Sequence, residues 1–282
     1  MANEYKVNIS PSSFSSSNPK SMSEVEIIIP FHDECGKVGN LIKEIFKLVS
    51  TNRYQITLVD DCSENKHFLN EIFSKKLDGV QCLRTDKQLG FAGAVNHALK
   101  FAKNPWIPWI CVMHSDVTPK HFSWLSKMGA SMQNLKNKNV KMISPVTNNS
   151  ISTTEFCQVK NELDFKSDVI LDSGFLPMYT FLCHRELFKK IGLMKEDPLM
   201  GCEAEEFALR MKKHGYLQAV CGSSYVEHEG KSTYNNIIKN PNNIEILRNN
   251  REMFMNEYKD YLKFLYKELD NKEINYSEIS SN

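Results

Sequence analysis

Apolar positions along the chain fall into short β-branched runs that alternate with stretches of helical spacing. Val25 to Ile29 is a compact apolar run closed by Pro30 and reads as a buried strand. After it, Val38, Leu41, Ile42, Ile45, Phe46 and Leu48 recur three and four residues apart, which predicts an amphipathic helix over 36–49. Tyr54 to Val59 is a second strand, a helix follows near 65–76, and Val80 to Leu83 is a third strand. Gly90 to Ala102 reads as a helix, leading through Pro105 and Pro108 into a strand at 109–113. Strand and helix repeated in this way predict a parallel sheet with right-handed crossovers.

The second half is less regular. Met142 to Pro145, Ser150 to Lys160 and Tyr179 to Cys183 read as further strands. Glu203 to His214 is a helix stopped by Gly215, and Tyr216 to Val226 returns as strand. The segment 244–268 predicts one or two amphipathic helices, and the chain carries no internal repeat.

In a parallel sheet, ligands bind outside the carboxyl ends of the strands. Three strands here end in chemically capable residues: Pro30-Phe31-His32-Asp33-Glu34, Asp60-Asp61, and His114-Ser115-Asp116. Any one of these alone is an ordinary polar turn, and Asp60-Asp61 equally suits a turn or a helix cap. Three on one edge point to a site.

Composition narrows the classes. Lys plus Arg (35) against Asp plus Glu (34) leaves +1, so no bulk charge draws the chain to nucleic acid or an anionic surface. Eight cysteines without a CxxC pair read as reduced core thiols of a cytoplasmic protein. No stretch approaches the roughly 20 apolar residues that span a bilayer. Residues 1–23, MANEYKVNISPSSFSSSNPKSMS, read as a flexible Ser-rich leader.

The stretch VEIIIPFHDE followed by ITLVDDCSEN resembles the opening of the family 2 glycosyltransferases, whose pattern is a strand, Pro-Thr-Tyr-Asn-Glu, then a strand closing on Asp-Asp-Gly-Ser. Asp33 stands for the asparagine, Phe31 and His32 for the Thr-Tyr pair, and Cys62 for the glycine. Downstream, GFAGAVNHALKFA, the HSD of 114–116, GCEAEEFALRMKKHGY and VEHEGKSTY are similar to four later segments of the same family, in order. The resemblance runs over 24–234, with 235–282 as a helical extension ending in a polar tail. It implies an α/β GT-A fold, Rossmann-like, with a mostly parallel central sheet flanked by helices.

The same resemblance implies an inverting, metal-dependent transfer of a sugar from a nucleotide-sugar, UDP-linked by expectation, to a hydroxyl of a glycan, a lipid-linked acceptor or a protein. Pro30, Phe31, His32, Glu34, Asp60, Asp61, Gly90, Asn96 and Ser115 would line the nucleotide. A carboxylate would accept the base N–H, as its chemistry allows. Asp116, His228 and His114 would hold Mn2+ or Mg2+, with His114 either ligand or orienting neighbour. Lys231 and Ser232 would lie near phosphate, and Gly174 and Phe175 on the acceptor side. Ala204 occupies the place of the catalytic aspartate, a departure that leaves the base among Glu203, Glu205 and Glu206, with Glu203 ahead of Glu205. Two other readings stand beside this one: a catalytically silent nucleotide-sugar-binding module, and a sugar-phosphate nucleotidyltransferase. The latter lacks its expected glycine-rich basic signature in FHDECGKVGN.

Overall fold

The structure, a computed structural model, describes residues 24–48, 54–64, 77, 79–149, 157–159, 166–171, 173–196, 202–230 and 241–261. The expected leader, the helix at 65–76, most of the strand at 150–160, Lys231, Ser232 and residues 262–268 lie outside the described residues.

Nine strands form one sheet: β1 (Val25–Phe31), β2 (Tyr54–Asp60), β3 (Val80–Arg84), β4 (Trp109–Met113), β5 (Val117–Pro119), β6 (Val140–Thr147), β7 (Val169–Leu171), β8 (Thr180–His184) and β9 (Leu217–His228). Their order is β3-β2-β1-β4-β8-β6-β9-β5, with β7 also on β9. β1 to β4 pair in parallel, β8 runs against β4 and β6, and β6 and β9 pair in parallel. The first four strands with β6 and β9 therefore share one direction, and their carboxyl ends meet on one edge. Short β7 and β5 run against β9, covering the beginning and end of its outer side.

Strand residues alternate between two apolar layers, as a sheet covered on both faces requires. Ile27, Ile29, Cys111 and Met113 pack with Val38, Leu41, Ile42 and Ile45 of α1 (Cys35–Leu48). The same layer holds Trp124, Met128 and Met132 of a second helix on that face. Ile28, Ile110, Val112 and Phe181 face the other way, onto α2 (Gly90–Phe101). The helix carrying Trp124 is α3 (Trp124–Asn134), and α4 (Glu186–Ile191) and α5 (Glu203–Lys213) join α2 on the opposite face. A last helix, α6 (Pro241–Glu257), sets Phe254 and Met255 against Ala208 and Leu209 of α5.

Pro30 lies inside β1, past the four residues that pair with β4, so its missing N–H leaves no gap on that side. Leu176 and Met178 are core residues, and all eight cysteines are free thiols. Among the described residues no helix is long and apolar enough to cross a membrane.

Candidate active site

The chain turns sharply where β4 ends. The His114 N–H donates to the Tyr179 carbonyl at 2.8 Å, tying the turn to the start of β8. The Glu229 N–H donates to the Asp116 carbonyl at 3.1 Å, tying it to the end of β9. Val117 then pairs with His228 across β5 and β9. These ties bring Asp116, His114 and His228 together, each offering a ligand atom within 4.8 Å of the others.

The tautomer of His228 follows from its neighbours. Its Nδ1 lies 2.9 Å from the Asn149 carbonyl, which only accepts, so Nδ1 carries hydrogen. Its Nε2 faces Asp116 Oδ1 at 3.4 Å. Two acceptor atoms so placed require a cation between or beside them, either a proton or a metal. A histidine fixed by a carbonyl at one nitrogen, with the other turned toward a carboxylate, is arranged as metal-ligating histidines commonly are. His114 adds Nδ1 at 3.9 Å from the same Asp116 oxygen, while its Nε2 is buried with no hydrogen-bond partner among the described residues. One carboxylate and two imidazoles suit a divalent cation.

Electrostatics agree with the geometry. Burial opposes ionisation of Asp116, yet the bond from His228 and the positive charges of His228 and Lys37 hold its carboxyl well below the usual range. Burial also works against a charged His228, but Asp116 more than offsets it and raises the imidazole. Burial pushes His114 down to about 4 against the pull of Asp116. The ring is 35% exposed at its edge and buried at Nε2, with Phe91 edge-on at 4.7 Å. His114 is therefore neutral near pH 7 and keeps a lone pair to offer.

The end of β1 adjoins this cluster through Ser115, whose hydroxyl donates to Glu34. Lys37 of α1 lies 3.5 Å from Glu34 and 2.9 Å from Glu229, placing a cation at the same edge. The sequence pattern passed over Lys37, Asn148 and Asn149. A lysine one turn into a helix has no signature of its own, and the asparagines act here through Asn149 O and through Asn148 Oδ1, which accepts from His228 N.

The end of β2 is built differently. Asp60 accepts from the Ser63 N–H at 2.9 Å and pairs with Arg84. Asp61 accepts from Leu89 N, Gly90 N and the Thr85 hydroxyl, at 2.8, 2.8 and 3.0 Å. Asp61 thus caps the start of α2, where Gly90 takes a φ of 74°. His32 stands beside it, Nδ1 at 2.8 Å from the Asp61 carbonyl, and Phe31 is core. Asn96 is fully buried in α2 and bonds Met194 through both its oxygen and its amide, with Glu196 taking the other hydrogen. Its polar atoms hold the loop after α4, a different role from the expected nucleotide contact.

Of the three acids that open α5, Glu206 is buried in a two-point pair with Arg210 at 2.6 and 2.8 Å. Glu205 is buried 3.4 Å from Arg251 of α6. Glu203 is the half-exposed first residue of the helix, following the buried Cys202. Gly174 adopts a φ of 82°, and Phe175 packs in the same cluster as Cys202 and α6.

The model of glycosyl transferase family 2 matches residues 26–192, more than half of the chain. A search of curated proteins by sequence found no match. Among solved structures, the mannosyltransferase PcManGT from Pyrobaculum calidifontis, in complex with GDP-Man and Mn2+, superimposes with a TM-score of 0.56 at 14% identity, over 75% of this chain and 58% of that one. TarS 1-349 of S. aureus, in complex with UDP-GlcNAc, gives 0.54 at 18%, over 74% and 60%. GalNAc-T7 with UDP, GalNAc and Mn2+ gives 0.56 at 17%, over 91% and 53%. The chain thus spans little more than half the length of these structures, and the likeness establishes a GT-A fold.

Proposed function

The chain belongs to glycosyl transferase family 2, and from that premise we propose that it moves a sugar from a nucleotide-sugar to an acceptor hydroxyl, with inversion at the anomeric carbon. The carrying observation is the cluster of Asp116, His228 and His114 on the carboxyl edge of the sheet, with the His228 tautomer set by Asn149. These three residues would hold a divalent cation, Mn2+ by preference. When bound, it supplies positive charge beside the diphosphate, where negative charge grows as the bond to the sugar breaks. PcManGT and GalNAc-T7, both with Mn2+, support that choice, and UDP is the expected nucleotide, as in TarS and GalNAc-T7.

The residues of the chain divide the remaining work. His32, Glu34 and Ser115 line the nucleotide side, while Asp60 and Asp61 hold the backbone that shapes it, from β2 to the glycine turn at Gly90. Lys231 and Ser232 belong to the phosphate side on the sequence pattern alone. Glu203 takes the proton of the acceptor hydroxyl. The oxygen so freed bonds to the anomeric carbon from the face opposite the diphosphate, whose oxygen leaves with the electron pair. Glu205 and Glu206 suit this task less, since each is buried against a guanidinium. Phe175 joins Cys202, the neighbour of Glu203, in one cluster, which supports an acceptor side at this end of α5.

Nucleotide release from a panel of UDP- and GDP-sugars, with Mn2+, with Mg2+ and with chelator, tests the reading. Metal-dependent release from at least one donor is the expected result. A protein that binds UDP with Mn2+ but hydrolyses no donor would instead be a silent binding module, a reading that Ala204 and the arginine-bound Glu205 and Glu206 favour.

A further inference from the structure

The opposite edge of the sheet carries a second concavity, remote from the chemistry described above. It is a cavity of about 360 Å3 between α3 and α4, where β4 and β6 begin and β8 ends. Its walls are apolar and aromatic: Trp109, Val140, Leu187 and Tyr216. Trp109 pairs in register with His184, and the two rings meet edge to face at 5.2 Å. Three lysines stand around it, Lys136, Lys141 and Lys190, and among the described residues none is in an ion pair. The one acid in the lining, Glu186, is paired with Lys189 at 2.6 Å and also feels the charge of Lys190, which leaves Lys136 and Lys141 as the cations with no acid beside them in the lining.

Lysines near helix ends often only offset the negative end of a helix dipole. That accounts for Lys190, at the end of α4, and for Lys136, just beyond α3. It does not account for Lys141, which sits on β6 and lies over the Tyr216 ring at 5.7 Å. Nor does it explain why Trp109 and Tyr216 remain half-exposed beside those charges. Apolar walls with a few convergent charges, in a volume at the lower end of roughly 300–1,000 Å3, are what small-molecule sites look like.

We propose that this cavity is a second binding site, for a small organic anion with a flat apolar body and a single phosphate, sulfonate or carboxylate group. The flat body lies against Trp109 and Tyr216 while the lysines meet the oxyanion. The site stands about 17 Å along β4 from His114, five residues at the rise of a strand, so it does not overlap the donor site and does not depend on the transferase reading.

The probe is 1-naphthyl phosphate, titrated into the uniformly 15N-labelled full chain and followed at the Trp109 indole N–H, identified with W109F. A saturable shift of that resonance is expected, weakened about tenfold in K141E/K190E, the loss of about one charge-assisted hydrogen bond. Uncharged 1-naphthol should bind at least about tenfold more weakly, and inorganic phosphate alone should leave the resonance unmoved, since each lacks half of the recognition. If the double variant loses its dispersed spectrum, K141Q carries the comparison. An indole unmoved at millimolar probe, or an affinity unchanged by the lysine substitutions, would overturn the proposal.

Discussion

The strand ends at Asp60-Asp61 and at His114-Ser115-Asp116 look alike in sequence and differ in what surrounds their carboxylates. At the end of β2, Asp61 receives two backbone N–H groups and a hydroxyl, and Asp60 receives a backbone N–H and Arg84. At the end of β4, Asp116 faces two imidazoles, one of which has its proton fixed on the far nitrogen by Asn149. The carboxylates at the end of β2 stabilise a backbone shape, whereas Asp116 converges with two imidazoles on one point. Two strand ends that read alike in sequence are thus told apart by the side chains that later strands bring to them.

Removing each carboxylate should separate the two ends. Asp116→Ala is expected to lower metal-dependent turnover about 10³-fold, the scale of losing one strong electrostatic contact at a reacting centre. Mn2+ binding by calorimetry should be lost with it. Asp61→Ala should do the reverse: Leu89 N, Gly90 N and the Thr85 hydroxyl lose a buried acceptor, at a cost of about 3 kcal/mol. Its Mn2+ affinity should survive. A stable Asp61→Ala that no longer binds nucleotide would make Asp61 a ligand contact after all.

The acids in the first turn of α5 can be separated in the same way. Glu203→Gln should reduce turnover about 10²-fold or more, with stability unchanged, because a proton acceptor is lost. Glu206→Gln breaks the two-point pair with Arg210 and should instead cost about 2 kcal/mol of stability, with a smaller effect on rate. Full turnover in Glu203→Gln would move the base elsewhere.

Which parts were legible follows from the range of the interactions. β1 to β4 and the helices α1 and α2 declared themselves because their apolar runs and spacings are local. Likewise, the His114–Asp116 turn and His228 were legible as motif fragments in order. α3 carries a weaker signal: Trp124, Leu125, Met128 and Met132 lie at helical spacing, but the polar residues between them dilute it. β5 and β7, three residues each, exist only because β9 offers them an edge. The roles of Asp61 and Asn96 depend on partners 28 and 98 residues away, and no local pattern carries that. Glu203, Glu205 and Glu206 are equivalent in the sequence pattern, and only the fold puts Arg251 beside Glu205 and Arg210 beside Glu206.

Cys62 gives the smallest and sharpest test of the idea that the end of β2 is built for backbone shape. The family pattern has glycine there, and Cys62 holds a φ of 60°, the left-handed region that glycine enters freely. Asp33, at φ 53°, sits in the same region across the turn, but aspartate tolerates it better than cysteine does. A cysteine so placed costs about 1 kcal/mol or somewhat more. Against that stand a long Sγ contact to the Asp86 carbonyl at 3.6 Å and the greater freedom of glycine in the unfolded chain. The strain should win narrowly, so Cys62→Gly is expected to stabilise the protein by about 0.5 kcal/mol, read as a higher urea midpoint at constant slope. A lower midpoint would mean that the thiol contact holds this turn more firmly than its backbone conformation strains it.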